Sequence, residues 1–398
     1  MLETFIHGLV KLNFIEYAIY TLVVTHITIV AITLYLHRGV CHSAIDIHPI
    51  LSHFFRFWLW LTTSMRTADW VAIHRKHHAK VETDSDPHSP AVYGINKVIF
   101  QGADLYHKEK NNKETIQKYS QNCPQDWVEE HIYTGRNNLG ILLLFILNII
   151  LFGTVGIIIW SIQMMWTPIF AAGGINGVGH YWGYRNYNTN DDSTNMSPVG
   201  IIIGGEELHN NHHAYPTAAK FSLRPWEFDI AWCYLRVLSF LKLTTIKSIA
   251  PARPYIDLDK LSPDLETLKA VVANRLHVMS DFKQMVMHRV YREEITNSSG
   301  EKRFQLKKLR RVYKAPYKFL SSIDNYEMDE VYSISRKLHI VLSSYNSLED
   351  LYRQRASDAD VLLKRLKEWC EEAEQSGISA LQEYVKVVRG YTLTELPN

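Results

Sequence analysis

The chain has 398 residues, with 43 Lys and Arg against 41 Asp and Glu, a formal net charge of +2 and a mean hydropathy close to zero. Those averages alone suggest an ordinary soluble protein of about two domains, and they hide two unlike halves. The four cysteines, Cys41, Cys123, Cys233 and Cys370, are scattered without a C-x-x-C pair, which argues against both a disulfide framework and a thiolate metal site; they read as reduced and structural.

Residues 1–16 are too short to span a bilayer and are interrupted by Lys11 and Glu16, so they are expected at the interface or packed on the first helix. Residues 17–36 contain no Asp, Glu, Lys or Arg. At ~1.5 Å per residue they are long enough to cross a hydrocarbon core of ~30 Å. They lack a basic start and a small-residue cleavage motif, so they read as a retained anchor rather than a signal peptide. The anchor delivers a first histidine cluster, His37-Arg-Gly-Val-Cys-His42.

Residues 47–70 are rich in Phe and Trp but broken by His48, Pro49, His53, Arg56 and Arg66. The second cluster, His74-Arg-Lys-His77-His78, follows at once. If both clusters serve one centre they share a membrane face, so the stretch between them lies flat or turns back. The same parity applies to residues 139 to about 184, expected as two apolar helices joined near residues 161–164. These lead to the third cluster, His209-Asn-Asn-His212-His213. Arg38, Arg75, Lys76 and Lys80 on the histidine side, against Lys11 on the other, place that side in the cytoplasm.

After Pro225 the chain becomes charged and helical. Ser262-Pro263-Asp264 reads as a helix start, and Leu265, Leu268, Val272, Leu276, Met279, Phe282 and Val286 recur at helical spacing up to Asn297. Further helices are expected over 357–377 and up to Gly390. Lys302, Arg303, Lys307, Lys308, Arg310, Arg311, Lys314 and Lys318 form a basic run. It reads either as a solvated helix face or as a surface for anionic lipid or an acidic electron donor. Nucleic-acid binding is a poor third, since aromatic interleaving is limited. The expected fold is an all-α integral membrane protein. It has about three crossings, with four possible, and an interfacial amphipathic helix under a cytoplasmic histidine-rich cap. Residues 1–240 form the membrane-embedded domain and 241–398 a soluble helical extension.

Histidines at i, i+3 and i+4 share one helix face, and three such clusters beside apolar segments make a metal site. Ligand type leaves iron, zinc and copper open. Eight histidines exceed what one ion of about four to six ligands takes, so a dinuclear centre is implied. Asn176 and His180 share a face of the last apolar helix, and His180 is a ninth candidate. His26, His48, His53, His88, His107 and His131 read as packing or surface histidines. Neutral imidazole ligands need acceptors on their second nitrogen. Asp69, Glu82, Asp84, Asp86, Glu206 and Glu207 lie near the clusters, with Asp69, Asp84, Asp86 and Glu206 assigned to that role.

The boxes His37-x4-His42, His74-x-x-His77-His78 with Asp86-Pro87-His88, Asn176-x3-His180 and Gly205-Glu206-x-x-His209-Asn-Asn-His212-His213 resemble those of the membrane fatty acid desaturases, specifically the stearoyl-CoA desaturase branch and its bacterial Δ9 relatives. The likeness covers roughly residues 15–235. It implies a non-haem di-iron centre held by His37, His42, His74, His77, His78, His180, His209, His212 and His213, with Asn176 contacting one iron through water. It further implies O2-dependent insertion of a cis double bond, at carbon 9, into a saturated C16–C18 acyl chain. The carrier of the acyl chain is left open among CoA, phospholipid and a carrier protein. No His-Pro-Gly-Gly haem motif or four-cysteine rubredoxin pattern is present, so electrons are expected from a separate protein. The expected location is a bacterial inner membrane with the site on its cytoplasmic face. Two alternatives remain: a di-iron membrane hydroxylase of an aliphatic substrate, and a non-enzymatic membrane metal-binding or transport protein.

Overall fold

A computed structural model describes residues 7–251, 253–308, 331–353 and 358–393. The chain is mostly helical and divides into two compact units, one of residues 1–185 and 192–250, the other of 186–191 and 251–398.

In the first unit, Asn13 and Glu16 close a capping box that starts the helix Phe14–Ala31. Its Thr21, Thr25 and Thr28 hydroxyls bond carbonyls one turn back, the usual way for a hydroxyl to remain satisfied inside an apolar helix. The helix then widens into the π-helical segment Ile32–Cys41, giving one continuous apolar span, Phe14–Cys41.

The second apolar span, Asn137–His180, contains a sharp break at Gly153, whose φ of 60° and ψ of −136° are open to glycine and closed to side-chain-bearing residues. The two legs fold back on each other: the Phe145 and Trp160 rings lie 5.0 Å apart, and Trp160 Nε1 donates to the Ile141 carbonyl. The turn therefore falls at Gly153, not near 161–164. There Ser161 continues the helix, its hydroxyl donating to the Ile157 carbonyl. Only 28% of this span's most apolar window is buried, so its Leu and Ile side chains face outward as a lipid-facing surface does.

Residues 7–10 dock on that turn, Leu9 and Val10 donating to the Ile150 and Leu151 carbonyls at 3.0 and 2.8 Å, and the Tyr17 hydroxyl, donating to the Val10 carbonyl, packs them on the first helix. Tyr20 sits 4.8 Å from Phe152 at the same end. The turn thus lies beside the start of the first span, and the opposite ends of all three legs converge on the histidines.

The aromatic stretch forms the helix Pro49–Thr63, opened by His48 and by Pro49 at its first position. It is two-faced: Ile50, Phe54 and Phe57 are exposed, while Phe55, Leu59 and Trp60 are buried. Arg56 does not interrupt the buried face as a solvated charge; its guanidinium pairs with Asp126 at 2.5 and 2.8 Å and with Glu129 at 3.0 Å. A short antiparallel pair, Ile45–Ile47 with Thr244–Ile246, fixes the entry to this helix.

The second unit is a helical bundle around Phe282, Tyr345, Trp369 and Tyr384. Its first and last segments pair as Tyr255–Ile256 with Tyr391–Thr392. The expected helix start shifts by two residues: Asp264, not Ser262, caps Leu265–Ala273, because its carboxylate accepts from the Thr267 amide at 2.8 Å. The expected single run to Asn297 is broken at Asn274 into Leu265–Ala273 and Arg275–Phe282, and the chain leaves its helix at Asn297. After Gly300–Lys308 and Arg336–Arg353 come Ala359–Gln375 and Ser379–Gly390, the expected start at Ser357 lying outside the described residues. Of the basic run, Lys302, Arg303, Lys307 and Lys308 lie on Gly300–Lys308; the others fall outside the described residues.

All four cysteines are free, and burial pushes the Cys123 and Cys370 thiols up to about 11 and about 12, leaving them protonated and inert.

Candidate metal centre

Five residues apart on an α-helix, His37 and His42 would point ~140° away from each other. The π-helical turn corrects this: the His42 amide donates to the His37 carbonyl at 3.0 Å, and the two rings come to 4.9 Å. The helix Thr67–Lys80 presents His74, His77 and His78 on one face. His180 ends a short 3-10 turn, Val178–His180, and His209, His212 and His213 lie on His209–Ala214.

These elements bring all nine histidines together in two sets, His37, His42, His74, His78 and His212 in one and His77, His180, His209 and His213 in the other. Within each set the ligand nitrogens lie within 4.8 Å of one another. His212 Nε2 is 3.0 Å from His37 Nε2 and 2.9 Å from His78 Nε2. In the second set His180 Nε2 is 3.2 Å from His77 Nε2 and 3.0 Å from His209 Nε2.

Carboxylates fix which nitrogens carry protons. Glu206 Oε1 accepts from His37 Nδ1 at 2.7 Å and from the Thr33 hydroxyl at 2.5 Å. Asp86 accepts from His77 Nδ1 at 3.0 Å and from the amides of Glu82 and His88. Glu82 Oε1 stands 3.5 Å from His180 Nδ1 and accepts the Asp192 amide at 2.5 Å. With Nδ1–H donated to a carboxylate, the Nε2 atoms of His77 and His180 are both lone pairs, and they face each other. One N–H on His212 Nε2 likewise cannot serve His37 and His78 at once. Convergent lone pairs repel unless a cation sits among them, so the donor set fits two metal ions.

Burial, reinforced by neighbouring imidazoles, holds His42, His74, His78, His209 and His212 well below the ordinary histidine value, in the neutral form that ligates. Burial alone would raise Asp86 and Glu206; His77 beside the first and His37 beside the second hold them below the usual carboxylate range.

Two assigned orienting carboxylates do not reach an imidazole. Asp69 is buried but pairs with Arg66 at 3.8 Å, and Asp84 is exposed on the turn that folds inward only at Asp86. Glu82 takes the position on His180. Glu207 serves the backbone, accepting the Ile203 and Gly205 amides at 3.0 and 3.1 Å.

A support behind the ligands was not legible in the boxes. Arg38 is fully buried, donating to both Asp229 oxygens at 3.2 Å and to the Ala219 carbonyl at 2.8 Å. Its guanidinium lies 3.9 Å above the Phe221 ring, which in turn packs 4.9 Å from His212. Gly205, at φ +90°, leaves the room for this, since a Cβ there would come within 2.3 Å of Asp229. The one available signal was an arginine placed inside the first box.

A cavity of about 300 Å³ reaches the histidines. Ile32, Trp70, Ile73, Ile141, Met164 and Ile175 give it apolar walls, and His37, His74, His88 and Asn176 also line it. Asn176 follows a π-helical segment, Thr167–Ile175, so both apolar spans are π-helical where they approach the centre. His26 stands apart, its Nε2 2.9 Å from the Tyr234 hydroxyl.

Residues 15–236 match the family model described as fatty acid desaturase. Residues 263–394 match a second model, described as a transposase. The chain is 31% identical to an sn-1 stearoyl-lipid 9-desaturase of Synechocystis over 56% of its own length and 68% of that protein. It is 29% identical to the sn-1 stearoyl-lipid 9-desaturase of Anabaena variabilis over 55% of itself and 79% of that protein. To the icosanoyl-CoA 5-desaturase of Limnanthes douglasii it is 28% identical over 54% of itself and 60% of that protein. The chain spans 59% to 79% of the length of such curated relatives.

Proposed function

The chain belongs to the fatty acid desaturase family, and on that premise we propose that it is an O2-dependent membrane acyl desaturase that inserts a cis Δ9 double bond into a saturated C16–C18 chain. The observation that carries the reading is two sets of convergent imidazole lone pairs at an apolar cavity. His37, His42, His74, His78 and His212 would hold one iron and His77, His180, His209 and His213 the other, with Asn176 placed to contact one iron through water. Bound there, the two irons supply the oxidant that an unactivated C–H bond demands and no side chain provides.

The chain's own residues do the rest. Glu206, Asp86 and Glu82 keep His37, His77 and His180 in the ligating tautomer. The apolar walls hold a hydrocarbon against the centre and exclude water. In the overall balance, O2 takes two hydrogens from the chain with two electrons from a donor and two protons, and leaves as two waters. A separate electron-transfer protein supplies the electrons. The first span and the two legs of the second make three crossings, with the histidines on the cytoplasmic face. Residues 1–240 carry the reaction, residues 241–250 stay with them through the Thr244–Ile246 strand, and the helical extension begins at 251. Two relatives named for stearoyl lipid support Δ9 and a lipid-linked substrate, while the CoA 5-desaturase keeps acyl-CoA as a tested alternative.

The test is direct. Purified full chain is assayed for metal, then given stearoyl-CoA and distearoyl phosphatidylcholine in parallel with a reductase system, and the double bond is located by mass spectrometry. Two irons per chain and a 9,10-alkene from one carrier support the proposal. Zinc without product overturns it, and a hydroxy acid turns it into a hydroxylase.

A further inference from the structure

Ten histidines, not nine, are gathered at the centre. His88 is 7% exposed, and its ring lies 4.5 Å from that of His77. Its amide donates to Asp86 Oδ1 at 3.1 Å, and the same carboxylate accepts from His77 Nδ1. It belongs to neither set of convergent nitrogens, grouping only with His77 and Asp86, so it does not complete either ligand set directly. Its Nε2 is buried with no hydrogen-bond partner, yet the residue lines the cavity that Asn176 also lines. Outside the centre His26 is satisfied by Tyr234 and His48 by the Ile50 amide, while the unpartnered His7 Nδ1 lies near the N-terminus and lines no part of this cavity. A buried ring nitrogen left unpaired is costly, and a native structure rarely leaves one without reason.

We infer that His88 is a positioning residue whose Nε2 hydrogen-bonds the oxygen ligand, water or hydroxide, on the four-histidine iron. Asn176 lines the same cavity from the leg that ends at His180. Asp86 thus orients a ligand through His77 and, by its bond to the His88 amide, places the residue that holds the exchangeable ligand. A histidine at one remove from the metal would hold that oxygen in place without entering the ligand count.

The inference rests on the di-iron reading, and iron content of the wild-type chain tests that reading first. The full chain is then compared with His88→Ala and His88→Gln by iron per chain, Mössbauer spectroscopy of the reduced protein, turnover, and hydrogen peroxide released per O2 consumed. The Ala variant is expected to keep two irons, to shift one of the two quadrupole doublets, to lose about 10–100-fold in desaturation and to release more peroxide. The Gln variant, which retains a hydrogen-bonding group, restores the doublet and most of the turnover. Unchanged spectra and turnover in the Ala variant make His88 a packing residue and overturn the inference. Loss of one iron makes it a ligand and overturns it equally. A wild-type chain without two irons defeats the di-iron reading instead.

Discussion

Glu206 Oε1 lies 2.7 Å from His37 Nδ1, though the two residues are 169 apart in the chain. That bond leaves the His37 Nε2 lone pair facing His212 at 3.0 Å, so the carboxylate ties the first box to the last. Removing the carboxylate should free the His37 ring to change tautomer. Glu206→Ala is therefore expected to weaken metal retention by about 10–100-fold. Iron remaining after dialysis against graded chelator measures it; retention equal to wild type would show that Glu206 does not orient the ring.

His212→Ala and His26→Ala separate ligand from packing histidine. His212 Nε2 meets both His37 and His78, whereas His26 bonds Tyr234. The first change should abolish turnover and lower iron content, and the second should leave most of both. Equal losses of turnover would contradict the division.

The H-x-x-H-H spacing at His74 was legible because an α-helix turns i, i+3 and i+4 onto one face. His37 and His42 were recognisable as a pair, but not how they converge, since widening to a π-turn has no local sequence signature. Gly153 is one glycine in a run of Leu, Ile and Phe, and only the packing of the two legs reveals that it alone reverses the chain. Glu82 and Asp84 look interchangeable in sequence. The fold of the turn around Asp86 decides that Glu82 points inward and Asp84 outward.

Arg38 tests the support behind the ligands. Its charge is buried against Asp229 and sandwiched on Phe221, so Arg38→Ala leaves Asp229 uncompensated and should cost about 3–5 kcal/mol. Arg38→Lys should recover only part, because an ammonium cannot reach both Asp229 oxygens and the Ala219 carbonyl together. Thermal unfolding in detergent reads the order wild type, Lys, Ala; a Lys variant as stable as wild type refutes the bidentate requirement.

Asp264 gives a pH dependence in the second unit. Burial would raise its carboxyl, but Lys260 and the Thr267 amide and hydroxyl hold it at about 2, below the ordinary 3.8. The folded form binds its proton less readily, so its stabilisation is complete above about pH 4 and is lost as pH falls from there toward 2. Asp264→Ala should cost ~1 kcal/mol at pH 7, and Ser262→Ala nearly nothing. Thermal midpoints of wild type and Asp264→Ala should converge as pH is lowered through that window; a gap that stays constant sinks the assignment of Asp264 as the cap.

The cavity sets chain length if an acyl tail occupies it. Ala171 and Ala172 lie on its wall beside Pro168 and Ile175, on the leg that ends at His180. Ala171→Phe fills part of a space of about 300 Å³ from a position that offers no ligand atom, so iron content should be unchanged. Each methylene that no longer fits is worth about 1–3 kcal/mol in selectivity, so turnover of an eighteen-carbon chain should fall well below that of a shorter one. Competition between palmitoyl and stearoyl substrates on the same carrier measures the ratio. If both chains slow equally, the wall at Ala171 does not contact the tail, and the substrate lies elsewhere.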